Sequence, residues 1–136
     1  MIQFYFLSIL FNAVSGYALA MEDKDREGLK ETGPYFSLDN ETTRLILGIL
    51  TLVSGLLKLL SSTQGDIPVI GDLLPAILGL VAGFILIFDY YHTKTSIESE
   101  KSELLERIIA KNKRWIGFAA IASAILHFLF PTVLFL

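Results

Sequence analysis

Two ionisable side chains lie inside stretches that are otherwise apolar enough for hydrocarbon: Lys58 within 44–62 and His127 within 115–135. Such groups are expensive to hold in a membrane and are functional candidates by default. Lys58 lies about 14 residues into its stretch, roughly 21 Å at 1.5 Å per residue. That places it near an outer edge, where its stem is expected to snorkel to the headgroups. His127 sits somewhat deeper and is the candidate for lining a polar pocket or proton path. Asn12 and Ser123 are partners of suitable type for it. Asn12, Lys58 and His127 are thus the candidate intramembrane polar residues.

Small residues recur in each apolar stretch: Val14-Ser15-Gly16, Val53-Ser54-Gly55, Val81-Ala82-Gly83 and Ala122-Ser123-Ala124. In lipid, where apolar side chains gain little by leaving the acyl chains, small residues let helix backbones approach closely. Gly79 and Gly83 add a G-x-x-x-G pattern. Gly16, Ser54, Gly55, Gly79, Gly83 and Ser123 are the candidate helix-packing residues. A third set lies at the interface. Glu22 and Asp89 close two apolar stretches, and Arg44 and Lys113-Arg114 open the next, which allows one ion pair per hairpin, with Glu22, Arg44, Asp89 and Arg114 as the candidate residues. Exposed pairs contribute only ~0–1 kcal/mol, so orientation is the expected use.

Catalytic and metal-binding signatures do not emerge from the residue pattern. Cysteine is absent, which excludes disulfides and thiolate chemistry. The sequence has no phosphate-binding glycine loop, no H-E-x-x-H and no nucleophile elbow. Asp89-Tyr90-Tyr91-His92 offers two metal-capable groups, too few for a site. No cofactor is expected. The basic residues of 92–114 are interspersed with acids and the net charge is −3, which disfavours nucleic acid as a partner.

The elements that must position these residues are membrane spans. The 136-residue chain is read as one integral membrane domain, 53% hydrophobic and 18% charged, with its charges gathered into short blocks. Spans are expected at about 3–21, 44–62, 73–91 and 115–135, each near the ~20 residues that cross ~30 Å of hydrocarbon. Helices are expected because lipid offers no partners to open backbone polar groups. Pro75 suits a first helical turn, Pro131 should bend or fray the last helix, and Asn40 can cap the second. Within 92–114, Thr95 and Glu98 fit a capping box, and Ile97, Leu104, Leu105, Ile108 and Ile109 recur at helical spacing. An amphipathic helix is therefore expected there, running into the last span.

The apolar run ending in Ala18-Leu19-Ala20 also resembles a signal peptide with its cleavage site. The lack of a basic start and the presence of a counterpart at 73–91 favour a retained helix. Residues 10–22 align with 77–89 at an offset of 67, matching Val14/Val81, Gly16/Gly83, Leu19/Leu86 and Glu22/Asp89. Residues 47–60 align with 116–129 at an offset of 69, matching Gly48/Gly117, Ser54/Ser123, Leu57/Leu126 and Leu60/Leu129. The fold expected is an all-α membrane protein of two tandem parallel hairpins: repeat 1 at 1–62, an outer linker at 63–72 and repeat 2 at 73–136.

Lysine and arginine concentrate in 22–43 and 92–114, so both loops are predicted cytoplasmic and both termini outside. Tandem hairpins are also the plan of the ring-forming proteolipids of rotary ATPases. Those require a carboxylate inside the membrane, and every Asp and Glu here falls at a helix end or in a loop. The reading that leads is a structural or accessory subunit, more an interaction protein than an enzyme, packing with itself or another membrane protein in the bilayer. The alternative is a small oligomeric transporter or channel with a polar path near Asn12 and His127.

Overall fold

The computed structural model describes residues 2–21, 40–60, 73–95 and 100–130. It is all-helical over those residues: α1 is Ile2–Ala20, α2 Glu41–Leu60, α3 Leu73–Lys94 and α4 Glu100–Leu129. Two helix starts follow directly from residue type. The Asn40 side-chain oxygen accepts from the Thr42 amide at 3.0 Å, an N-cap at the head of α2. Pro75 occupies the first turn of α3, where no intrahelical donor is lost.

Helices α1, α2 and α3 are each long and apolar enough to cross a membrane. The fourth is built differently. The segment expected to be amphipathic and the last apolar stretch it was expected to run into share one continuous helix of 30 residues, roughly 45 Å long. No proline lies between Glu100 and Leu129, and the single glycine there, Gly117, is needed for packing. Its first half carries the charges, and its second half, from Trp115 onward, is almost wholly apolar. The capping-box residue Glu98, Pro131 and the linker 63–72 lie outside the described residues.

The helices pack as a rhombus. The most extensive contacts are α2 on α3 and α1 on α4; α1 also touches α2 and α3, and α3 touches α4. Among the described residues α2 and α4 do not meet. Thus α1 and α3 form the inner pair, and α2 and α4 flank them on opposite sides. Glycine sets the closest approaches. A Cβ on Gly16 would lie 2.7 Å from the Gly117 carbonyl oxygen, and one on Gly83 would lie 2.7 Å from that of Gly48. Backbone meets backbone there, so no side chain can be admitted.

Each helix presents a small or polar stripe inward at helical spacing. In α1 it is Ser8, Asn12, Ser15 and Leu19; in α2, Leu47, Thr51, Ser54 and Lys58. In α3 it is Pro75, Gly79, Ala82 and Leu86; in α4, Gly117, Ala120, Ser123 and His127. Large apolar residues such as Phe6, Leu10, Ile46, Leu56, Phe84 and Ile125 face outward. A water-soluble bundle buries its apolar stripe and exposes polar ones. This one buries small and polar residues beside its leucines and turns large apolar side chains outward, which is consistent with a membrane protein.

Candidate functional site

Polar groups gather at both ends of the bundle and along the seam between them. At one end, where α1 and α3 begin and α2 and α4 finish, Tyr5 is the hub. Its hydroxyl donates to the His127 carbonyl oxygen at 2.6 Å, and its ring lies 4.7 Å from the imidazole, centroid to centroid. The Lys58 ammonium sits 5.3 Å from the centroid of the same ring, within range of a cation–π attraction. His127 is 0% exposed and Lys58 4%. Lys58 therefore does not snorkel to the rim as its depth suggested. Distance along a helix axis says nothing about facing, and Lys58 shares the inward stripe of Thr51 and Ser54.

Along the seam, the Asn12 amide donates to the Pro75 carbonyl oxygen at 2.9 Å. Gly79 makes room for it, since a Cβ there would stand 2.8 Å from Asn12 Oδ1. Asn12 consequently ties α1 to α3 and is not the partner of His127 that its type suggested. Thr51 donates to the Leu47 carbonyl at 2.7 Å, and Ser15 lies 3.4 Å from that of Asn12. Ser123 Oγ, the other partner considered for His127, is buried with no hydrogen-bond partner among the described residues. No carboxylate is among the buried polar residues described.

The opposite end is organised around Asp89 on α3. Its Oδ2 accepts from Arg44 of α2 at 3.2 Å and from the Lys113 ammonium of α4. Of the Lys113-Arg114 dipeptide expected to pair with Asp89 in the second hairpin, Lys113 makes the contact, and Asp89 also takes Arg44 of the first hairpin. Arg114 lies one residue further round α4, over the outer face of the Phe118 ring at 5.7 Å. Asp89 instead joins two helices that do not otherwise touch. Glu22 lies outside the described residues. Around this triad Glu41 pairs with Lys94 at 2.9 Å and His92 with Glu106 at 3.2 Å. The Glu41 hydrogen bond and charge raise the Lys94 pKa above its ordinary 10.5. An open cleft of about 540 Å³ leads to Asp89, Arg44 and Lys113 and reaches the buried Leu86.

The packing residues named from sequence all lie inside the chain. Gly16, Gly55, Gly79, Gly83, Ser54 and Ser123 are buried against its own helices. Sequence reasoning overlooked Tyr5, Ser8 and Thr51, and it named Lys113 without separating it from its neighbour Arg114. A signal that separates them was present, since Lys113 follows Arg44 by 69 residues, the second repeat offset. Tyr5 had none.

A protein-family model matches residues 1–127. The chain belongs to that family. The chain is also similar to an uncharacterized protein of Treponema pallidum (strain Nichols), 29% identical over 136 residues, with all of both chains covered. No solved structure matches the chain.

Proposed function

We propose that this family member is a four-span integral membrane protein and a small transporter, with its pathway along the buried polar seam. In this reading the second half of α4 is the fourth span. Both termini are outside, and the first half of α4 projects into the cytoplasm. One observation carries the transport reading: Lys58 and His127 converge on Tyr5 in the interior of a bundle whose outer surface is apolar. Placing an ammonium there is costly and adds little to stability that an apolar side chain would not supply.

Two tandem hairpins are proposed as the origin of this arrangement. The Gly16–Gly117 and Gly83–Gly48 contacts exchange under the repeat offsets of 67 and 69 residues. Lys58 and His127, 69 residues apart, exchange in the same way. The exchange supports a parallel repeat about an axis along the membrane normal.

The test is reconstitution of the whole chain in proteoliposomes, with trapped pyranine reporting proton flux and isosmotic swelling reporting glycerol entry. The wild type is expected to exceed empty vesicles in at least one assay. Lys58→Met, an apolar replacement of similar volume, should keep its thermal stability and lose the flux. A Lys58→Met protein that conducts like the wild type would refute the pathway.

A second reading, a packing subunit of a membrane complex formed with its own copies or another protein, has its own support. Leu104 and Ile108 are 61% and 50% exposed on the half of α4 proposed to leave the membrane. Against it, the small residues that best suit helix association are already used within the chain. A gentle-detergent pull-down that recovers one stoichiometric partner, with no flux in vesicles, would favour this reading.

A further inference from the structure

We infer that the outer face of α4 is the seam of a parallel homodimer, closed by the same face of a second copy of this chain. The inference rests on the four-span reading of α4 and on neither reading of function.

Spacing defines the face. Leu104 and Ile108 are exposed on the charged half of α4, and Trp115, Phe118, Ala122, Ile125 and Leu129 are exposed on the apolar half. With the exposed Lys101 and Lys111 they recur at alternating steps of three and four residues along the whole helix. This is the heptad spacing of a left-handed coiled coil, with Lys101, Ile108 and Trp115 at one seam position and Leu104, Lys111 and Phe118 at the other. Among the described residues α4 touches α1 and α3 alone, so its outer face is covered by no helix of its own chain.

Neither solvent covers the whole seam. Lipid suits it from Trp115 onward. Leu104 lies 11 residues before Trp115, roughly 16 Å further along the axis. With Trp115 at the hydrocarbon edge, the headgroups reach only about 5–8 Å beyond it, so Leu104 faces water. A partner that covers both halves must itself pass from bilayer to water as one unbroken helix. The α4 of a second copy does so, enters the membrane from the same side and carries the same spacing. A two-fold axis along the membrane normal then sets each seam residue beside its own counterpart.

The flanks suit a parallel pairing. In heptad register Arg107 of one copy faces Asn112 of the other. The Asn112 side-chain amide donates to the Ile108 carbonyl of its own helix at 3.1 Å, which leaves its amide oxygen to accept from Arg107. Lys101 faces Glu100 of the second copy in the same register. Lys111 meets its own counterpart with no acid beside it in the seam, a charge that fixes register and costs stability.

The test uses the full chain in phosphatidylcholine vesicles over a range of protein-to-lipid ratios. Single cysteines introduced into the cysteine-free chain are oxidised with copper phenanthroline. Ile108→Cys should form linked dimers, and Ala110→Cys, on the cleft side of the same helix, should not. Energy transfer between labelled copies reads the association itself. Lys111→Leu should move half-association to a roughly tenfold lower protein-to-lipid ratio, and Ile108→Glu to a roughly tenfold higher one. Both side chains are exposed, so the melting temperatures of these variants should match the wild type. Transfer at the random-collision level at every ratio would mean that lipid or another protein covers the face, and would overturn the proposal. Equal linking through Ala110→Cys and Ile108→Cys would overturn it too. Impermeant-maleimide labelling of cysteines at Ile2, Thr95 and Phe130 tests the four-span reading separately, so the expected topology without cross-links removes the dimer alone.

Discussion

The two ends of the bundle are wired alike and solvated differently. At each, one side chain from the inner pair of helices joins a basic residue of α2 to a basic residue of α4. Tyr5 does this for Lys58 and His127, and Asp89 does it for Arg44 and Lys113. The Tyr5 end is closed, and its ammonium lies over an aromatic face. The Asp89 end has a full counter-charge and opens into a cleft. The contrast teaches that flanking helices out of mutual contact can be held by polar bridges at their ends. It also separates a buried bridge from one that borders an open cleft.

The largest expected effect comes from breaking the frame that keeps the ends apart. Gly83→Leu would push a side chain into the Gly48 carbonyl and the Leu52 amide, both 2.7 Å from a Cβ, and backbone cannot yield there. A loss of about 3 kcal/mol or more is expected, read as a lowered melting temperature in detergent. Gly79→Ala should cost less because the obstacle is the Asn12 side chain. Equal effects would undo the distinction between backbone and side-chain contacts.

The bridges come next. Asp89→Asn leaves Arg44 and Lys113 facing each other and should cost about 2 kcal/mol, less than a fully buried pair because water reaches the cleft. Tyr5→Phe keeps the ring under Lys58 and removes one hydrogen bond, for about 1 kcal/mol. Denaturation of both variants under one set of conditions measures the difference; a larger loss for Tyr5→Phe would reverse the ranking of the ends.

The smallest effect belongs to the Glu41–Lys94 pair, whose side chains are both about half exposed. Glu41→Gln should lower the melting temperature at neutral pH only slightly. Because the folded pKa of Lys94 is raised, its contribution is present below the ordinary 10.5 and is lost as pH rises through the raised value. Melting curves across that alkaline range should converge for wild type and Glu41→Gln at the upper end.

Much of the fold was legible because lipid imposes simple demands. Apolar length located the first three helices, Asn40 marked the start of α2, and Gly83 announced a close approach. The site was less legible for a geometric reason. Depth along a helix can be counted, whereas facing depends on which stripe the neighbours cover. Lys58 counts as peripheral by depth, yet its spacing from Thr51 and Ser54 puts it on the inner stripe. Arg114 and Lys113 are adjacent in sequence, yet a step of about 100° sends one outward and one to Asp89. Tyr5 lies in an aromatic-rich start, Phe4-Tyr5-Phe6, where no pattern separates it from lipid-facing neighbours.

The central claim, that α4 completes a fourth crossing and the two ends face opposite sides, can be tested in the cysteine-free chain with single cysteines at Ile2, Thr95 and Phe130 and a membrane-impermeant maleimide. The account predicts that Ile2→Cys and Phe130→Cys label in intact cells while Thr95→Cys labels only after permeabilisation. Labelling of Ile2→Cys and Phe130→Cys from opposite sides would contradict it.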